Sequence, residues 1–391
     1  MKAVPVKSLD ELIDCGLIEL GRGNIISKKD IAACPGTYPV YSSAKENDGK
    51  FGEYGKFMFN EELITWSVDG GGRLFHRPHH KFSVTNVGGT MRILDTSVLS
   101  YRYLYYALTI RHAEIAFDWV LKAHPSTIRK LYKDIPLPPL PEQQRIVAIL
   151  DEAFAGIANA RAAAEQNRQN ARALFESHLQ SVFSQRGEGW VEMPFGELAT
   201  FRNGINFTKS SRGQSIRILG VKNFQNNFWA PLNELETVIP DGMLSDSDTL
   251  EENDLLFVRS NGNPELIGRC LLIGAVSERI TYSGFTIRAR LHTQDVVPQY
   301  LCHFLKSNKA RREMIDGGNG ANIKNLNQGT LSRLVIPFPD TSNQVALVEQ
   351  LEAVQQEAQR LEALYQRKLE ALDELKQSLL HQAFSGQLLG N

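Results

Sequence analysis

Ile135-Pro136-Leu137-Pro138 recurs as Ile336-Pro337-Phe338-Pro339, 201 residues further along the chain. Gln143 maps on Gln344, Ile146 on Leu347 and Leu150 on Leu351 at the same offset. Upstream, Tyr103-Leu104 matches Tyr300-Leu301 at an offset of 197, so the second copy holds about four extra residues, assigned to Gly317-Gly318-Asn319-Gly320. A weaker echo pairs Ile64-Thr65-Trp66-Ser67-Val68-Asp69-Gly70 with Leu256-Phe257-Val258-Arg259-Ser260-Asn261-Gly262, an apolar run entering a glycine turn. Such internal repetition means one structural unit used twice: a globular unit, a proline-rich joint, a helix, and the same again. The 391 residues suit two domains of ordinary size.

Each globular unit reads as mixed α and β. Tyr38–Tyr41, Leu63–Trp66, Leu255–Val258 and Cys270–Ile273 are short strand-like runs bounded by Gly, Asn, Asp and Pro. A helix near 99–115 has its counterpart near 298–315.

Beyond the joints the pattern changes. No proline falls between Pro141 and Pro194, or after Pro339. Pro141 suits a first helical turn, where its missing N–H costs nothing. Alternating steps of four and three from Ile146 reach Leu150, Ala153, Ile157, Ala160, Ala164, Asn167, Ala171, Leu174 and His178. The same walk from Leu347 reaches Leu351, Val354, Ala358, Leu361, Tyr365, Lys368, Leu372, Leu375 and Leu379. A seam repeated every seven residues marks a coiled coil. The first helix is rich in alanine and the second in leucine, so small residues facing large ones pair the two helices with each other. The predicted fold is therefore α+β: two duplicated mixed α/β domains separated by a long antiparallel two-helix coiled coil, with a pseudo-two-fold axis. The segments are 1–140, 141–186, 187–340 and 341–391. A helix of 45 residues spans roughly 67 Å, and a compact helical core is the alternative to such a rod.

Composition excludes several functions. The net charge is −1, with 43 basic against 44 acidic residues, unlike a chain that coats nucleic acid indiscriminately. Residues 1–140 hold 18 basic and 15 acidic residues with five histidines, and 187–340 hold 16 against 17. Acidity concentrates after 341, where Glu349, Glu352, Glu362, Glu370, Asp373 and Glu374 are expected mostly on a solvated face. Cys15, Cys34, Cys270 and Cys302 are scattered, so reduced and mostly buried thiols are expected, without zinc or a disulfide framework. With no apolar run near 18 residues and no signal-like N-terminus, a soluble cytoplasmic protein is expected. No phosphate loop, nucleophile elbow or H-E-x-x-H motif is present, and Asn263-Pro264-Glu265 fails as the signature of amino-methylating DNA enzymes. No catalytic residue is assigned. Gly70-Gly71-Gly72 reads as a tight loop between strands. His76-Arg77-Pro78-His79-His80-Lys81 lacks a carboxylate or cysteine to complete a metal site, and phosphate contact is its better reading.

The run from Ile135 to Ile146, Ile-Pro-Leu-Pro-Pro-Leu-Pro-Glu-Gln-Gln-Arg-Ile, resembles the joint-and-helix signature of specificity subunits of Type I restriction–modification enzymes. So does its later duplicate, whose helix ends near Ser378-Leu379-Leu380-His381-Gln382-Ala383-Phe384-Ser385-Gly386. The resemblance covers the whole chain: target-recognition domain, helix, target-recognition domain, helix. It implies a non-catalytic subunit that reads a split DNA site, one half per domain with an unread gap. It also implies two modification subunits, methylating adenine with S-adenosylmethionine, and restriction subunits that translocate and cut DNA using ATP. No cofactor is expected on this chain. In the second joint Ser342-Asn343 replace Pro141-Glu142, and either residue can still cap a helix.

Arg suits guanine, Asn or Gln suits adenine, and Ser or Thr suits either, while phosphate contacts set register. The candidate DNA-binding residues of the first domain are Ser42, Ser43, Lys45, Ser67, Arg73, Arg77, His79, His80, Lys122 and His124. Those of the second are Arg202, Asn203, Lys209, Lys222, Asn223, Arg259, Asn261, Asn263, Asn322, Lys324 and Asn325. All are expected in polar or glycine-flanked loops. Two other readings are a coiled-coil scaffold that binds proteins and never reads DNA, and a stand-alone DNA methyltransferase.

Overall fold

The computed structural model describes residues 4–43, 47–69, 71–115, 122–185, 187, 189–208, 210–225, 227–316 and 325–385. The chain forms two compact units, one of residues 1–165 with 367–391 and one of residues 166–366.

The first unit contains β1 (Val6–Lys7), α1 (Leu9–Asp14), β2 (Ile18–Arg22), α2 (Lys28–Ala33), β3 (Tyr38–Tyr41), β4 (Lys50–Tyr54), β5 (Phe59–Ser67), β6 (Leu74–Val84), β7 (Gly88–Ile93), α3 (Tyr101–Ala113), α4 (Pro125–Leu131) and β8 (Ile135–Pro136). Its sheet runs β2-β7-β5-β6-β3-β4. A bulge between Glu61 and Leu63 bends the β5–β6 pair. The sheet curls until residues beyond β2 and β6 meet, with Asn24 bridging Thr85. Ile64, Trp66 and Met91 pack against Tyr103, Leu104 and Leu108 of α3 in one buried cluster. Trp66 keeps its polar atom satisfied by donating to the Ala123 carbonyl at 2.7 Å.

The second unit contains β9 (Val191–Pro194), β10 (Ala199–Asn203), β11 (Ile216–Leu219), β12 (Glu236–Val238), β13 (Leu255–Val258), β14 (Cys270–Leu272), β15 (Ile280–Tyr282), β16 (Thr286–Leu291) and β17 (Val335–Phe338). Its principal sheet runs β10-β16-β13-β14, beside a three-stranded sheet β12-β11-β15. The single helix expected near 298–315 is two, α6 (Pro298–Lys306) and α7 (Asn308–Asp316). Ser307 between them is extended, and its hydroxyl accepts the Ala310 N–H at 3.3 Å. A buried serine cap thus restarts the helix. A further short helix, α8 (Gln328–Arg333), precedes β17.

The repeated joint motif has a physical reason in a buried glutamine. The Gln143 amide accepts the Ser100 N–H at 2.9 Å and donates to the carbonyls of Val98 and Pro138, both at 2.8 Å. The Gln344 amide accepts the Val297 N–H at 2.8 Å and donates to Asp295 at 2.7 Å and Pro339 at 2.8 Å. Tyr103 and Tyr300 donate to the carbonyls of Pro136 and Pro337, at 3.0 and 2.7 Å. The strand echo is also real, but one residue out of register. Ser67, last in β5, faces Gly88, first in β7, as Val258, last in β13, faces Thr286, first in β16. Ile64 therefore corresponds to Leu255 rather than Leu256, a slip that would exchange the faces of the strand. In the same register Arg92 and Arg290 correspond. Each grips one carboxylate through Nε and Nη2: Glu61 at 2.8 and 2.7 Å, and Asp254 at 2.8 Å twice.

Two long helices, α5 (Leu140–Ser184) and α9 (Thr341–Phe384), contribute to both units. In the first unit Leu380 and Ala383 of α9 join Ile146 and Leu150 of α5 in the core, and Phe384 lies 5.2 Å from Tyr103, ring to ring. In the second, Leu179 and Phe183 of α5 share a core with Val348 and Leu351 of α9. The pairing is antiparallel within each unit: Arg161 bonds Asp373 in the first, while in the second Arg168 meets Gln366 and Arg172 meets Glu362. Glu362 and Asp373 are thus cross-helix partners, not part of a purely solvated face.

The seam departs from the expected heptads at named places. Leu150, Ile157, Ala164 and Ala171 keep seven-residue steps and are buried, but Leu174 is 50% exposed, and Leu179 and Phe183 are buried instead. There α5 turns its face toward α6, with Phe183 5.5 Å from both Tyr300 and Phe304. Along α9 the stripe between its ends runs through buried Leu351, Ala358, Leu369 and Leu380, while Lys368 and Leu375 are exposed. The last two steps are of eleven residues; three turns per eleven is close to the natural helical period and needs no left-handed supercoil. The α9 cap is Asp340, whose carboxylate accepts the Asn343 N–H at 2.9 Å, rather than Ser342 or Asn343. Cys270 and Cys302 are buried, but Cys15 is exposed and Cys34 half-buried, so burial of the thiols is only partial. Among the described residues no helix is long and apolar enough to cross a membrane.

Two predictions follow from buried polar groups. Gln143→Ala strands one N–H and two carbonyls, and should lower unfolding free energy by about 3 kcal/mol in urea titrations; a loss under about 1 kcal/mol would show that the glutamine is not the lock. His303 is buried beside Phe228, ring centroids 4.4 Å apart, and neither ring nitrogen has a hydrogen-bond partner. Burial first, then the Lys306 charge, pushes its pKa down from 6.5 to about 4. Between those values the unfolded chain binds the extra proton, so stability falls as pH drops from 6.5 toward 4, by about 3 kcal/mol at full extent. His303→Leu should flatten that part of a stability–pH curve, and an unchanged slope would contradict the assignment.

Candidate nucleic-acid interface

In each unit, strand ends converge on a rim built around a glycine. Gly23 follows β2 and Gly204 follows β10. A Cβ at Gly23 would collide with the carbonyls of Val84 and Thr85, and one at Gly204 with those of Tyr282 and Ser283. The absent side chain lets the backbones cross, and Asn24 bridges Thr85 as Ile205 bridges Ser283.

The first rim collects several expected residues. The Ser42 hydroxyl accepts from Thr85 Oγ1 at 2.8 Å, and Ser43 Oγ donates to the Val87 carbonyl at 2.6 Å. Ser67 is buried just behind them and reaches the Ser43 carbonyl at 3.4 Å. Lys122 pairs with Asp69 at 3.2 Å, two residues past the end of β5. Arg73 is exposed on the β5–β6 connection, its guanidinium 5.2 Å from the Phe75 ring centroid. His124 instead precedes α4 as its N-terminal cap residue.

The stretch from His76 to Lys81 is not a loop; all six residues lie in β6. Arg77 points inside the curled sheet. It donates to Thr65 Oγ1 at 3.0 Å and the Asp48 carbonyl at 2.6 Å, and lies 3.5 Å from the Tyr41 ring centroid. Burial pushes its pKa down to about 10. Its bond to the Asp48 carbonyl holds the segment of Asn47, Asp48 and Gly49, three successive residues with positive φ, the first two of them strained there. Arg77 therefore supports the loop from within. His80 is half-buried, stacked on Phe82 and 3.1 Å from the Tyr41 hydroxyl, and His79 is exposed on the strand.

The second rim brings together Asn203, Arg259, Asn261 and Asn325. Asn203 ends β10 and is exposed. The Arg259 N–H donates to the Phe285 carbonyl at 2.8 Å, and its guanidinium to the Gly284 carbonyl at 3.3 Å. Asn325 bridges Ser260. Asn261 and Asn263 spend their side-chain oxygens on the turn, accepting the N–H groups of Asn263 and Glu265 at 2.8 and 3.0 Å. Three other candidates are engaged elsewhere. Arg202 pairs with Asp248 at 2.6 Å, Lys222 pairs with Glu236, and buried Asn223 accepts the Gly220 N–H at 2.9 Å. Lys45, Lys209, Asn322 and Lys324 lie outside the described residues, as do Gly70 and Gly317–Gly320.

Sequence reading missed Arg22, Asn24 and Asn86 on the first rim and Asn206, Ser260 and Phe285 on the second. Arg22 donates to the Asn86 carbonyl at 2.6 Å. Their signal was the glycine within Arg22-Gly23-Asn24 and Asn203-Gly204-Ile205, each placed directly after a strand. Both rims present amide, hydroxyl and guanidinium groups, which suit base edges and phosphates. Among the described residues no group of three or more His, Cys, Asp or Glu side chains is placed to hold a metal ion.

The family model of the Type I restriction modification DNA specificity domain matches residues 4–166 and again 187–371. The chain is 27% identical over 269 residues to the EcoKI specificity subunit of Escherichia coli K12, covering 65% of this chain and 58% of that protein. It is 32% identical over 137 residues to the MpnII specificity subunit of Mycoplasma pneumoniae, covering 34% of this chain and 40% of that one. The chain spans about half the length of the curated relatives it matches. Its fold matches a chain in a solved structure concerned with complex assembly and conformational transition of the type I R-M system. That match has a TM-score of 0.71 over 99% of this chain and 100% of that one, at 13% identity. The HsdS subunit from Thermoanaerobacter tengcongensis matches with a TM-score of 0.55 over 95% and 97%, at 14% identity. At such identities the structural likeness is one of fold. The doubled family match falls on the doubled joint, rim and helix, and the chain belongs to the Type I restriction–modification DNA specificity family.

Proposed function

We propose that this chain is the DNA-reading subunit of a Type I restriction–modification complex and reads a bipartite site, one half with each rim. The observation that carries the reading is a shared backbone junction with different side chains. Gly23 and Gly204 make the same crossing, yet one rim offers Arg22, Asn24, Ser42 and Ser43 and the other Asn203, Arg259, Asn261 and Asn325. A common scaffold with unlike readers suits an asymmetric split target. The near-neutral net charge suits local rather than overall attraction to DNA.

On this reading the chain carries no catalysis and no cofactor. Methyl transfer to adenine belongs to two modification subunits with S-adenosylmethionine, and translocation and cleavage to restriction subunits with ATP. The exposed faces of α5 and α9 supply docking surface, and their length sets the unread gap. A purely protein-binding scaffold gives no account of two matched polar rims.

Two experiments test this, both using the chain co-expressed with its genomic methyltransferase and read by mapping modified bases. Asn203→Ala with Asn325→Ala should relax one half-site by tenfold or more, since one good base contact contributes about 1–3 kcal/mol of discrimination, and leave the other half intact. Equal loss at both halves, or none, would count against separate readers. Removing eleven residues from each helix, around Ala164 and Leu369, keeps the buried faces in phase. It should shorten the gap by about 16 Å, or about five base pairs. Methylation at the original gap would rule out the helices as spacer.

A further inference from the structure

The second unit contains a cavity of about 600 Å³ between the α5–α9 pair and the wall formed by β14, α6 and α7. Arg172, Arg269, Lys306 and Arg311 line it, against only two carboxylates, Glu176 and Glu362. Glu362 is already bonded to Arg172. The other cations each make at least one bond to a backbone oxygen. Arg269 and Arg311 both donate to the single carbonyl of Glu265, Arg269 also reaches the Gln225 carbonyl at 2.7 Å, and Lys306 reaches the Asn227 carbonyl at 2.8 Å. Two guanidinium groups sharing one neutral acceptor are like charges held together, and burial and then Arg269 lower the Arg311 pKa against a smaller opposing pull from Cys270 and the Glu265 carboxylate. Arg311 Nε is buried without a hydrogen-bond partner.

A structural role for these cations is to hold the segment at Glu265, through Arg269 and Arg311, and the turn around Gln225, a non-glycine residue at φ 33°, through Arg269 and Lys306. That role uses one donor each from Lys306 and Arg311 among the bonds seen, and it leaves the repulsion in place. An anion entering the cavity would relieve the repulsion and offer an acceptor to the Arg311 guanidinium, whose Nε has none. Guanidinium forks match tetrahedral oxyanions in particular, and charge-assisted bonds to them are the strong ones.

We propose that this cavity binds a phosphate group through Arg269, Lys306 and Arg311. Its source is a free phosphorylated small molecule or the backbone of bound DNA, and the two are separable.

The intact chain is titrated with inorganic pyrophosphate, against sodium chloride at matched ionic strength, and thermal unfolding is followed. Duplex binding is measured in parallel over a range of salt. Lys306→Met and Arg311→Gln remove donors. Gln359→Glu places a competing carboxylate on an exposed cavity-lining position of α9 and spares the core if the first two unfold. For a free ligand, pyrophosphate raises the midpoint of the unaltered chain and each variant binds it about tenfold more weakly. For DNA, pyrophosphate does nothing, and each variant lowers the salt slope of duplex binding by about one without changing the preferred bases. That unchanged preference separates this outcome from a failure of the base-reading rims. Pyrophosphate no better than chloride, together with an unaltered salt slope, overturns the proposal.

Discussion

The structure depends on apolar helix faces that cannot be buried locally. A helix of forty-odd residues with an apolar stripe is stable only when that stripe is covered. In the first unit, Leu380 and Ala383 from the end of the chain fill the same core as Ile146, Leu150 and Tyr103. In the second, Leu179 and Phe183 reach the core that contains Val348 and Leu351. Each unit is therefore completed by a helix whose other end belongs elsewhere in the sequence. That shared use explains why α9 is buried at its far end as well as its start.

The joints make this arrangement definite. A proline-rich segment leaves backbone carbonyls without the partners that a regular helix or sheet would supply. Gln143 and Gln344 meet that need, each binding one N–H and two carbonyls in a site closed to solvent. Only an amide side chain supplies two donor hydrogens and an acceptor there at once. The tyrosine hydroxyls of Tyr103 and Tyr300 complete the lock against the strand before each helix. The recurring Pro and Gln thus reflect hydrogen-bond stoichiometry, while Ile135 and Ile336 recur as buried core residues.

What could be read from the sequence followed from how local each cause is. The joints, the long helices and the strand runs were legible because proline placement and short periodicities act over a few residues. The helix faces were legible only while the partner helix stayed opposite. Leu174 and Lys368 were misplaced because the neighbour changes, to α6 in one case and to an eleven-residue phase in the other. Arg77 looked like part of an exposed basic run, but a bulged, curled sheet turns that one position inward onto Tyr41 and Thr65. Asn223 and Arg202 have the right chemistry for bases and are used within the fold instead. Many rim residues were among the sequence candidates, but the crossings at Gly23 and Gly204 escaped notice because each glycine admits a strand some sixty to eighty residues away.

The most direct measurement is hydrogen exchange on the chain ended after Gln366, which lacks Leu369, Leu380, Ala383 and Phe384. The account predicts that amides of α3 and of α5 near Leu150 lose protection, and regain it when a peptide of residues 367–391 is added. Unchanged protection in α3 and α5 would mean that the first unit is complete without the far end of the chain, contradicting the shared-helix architecture.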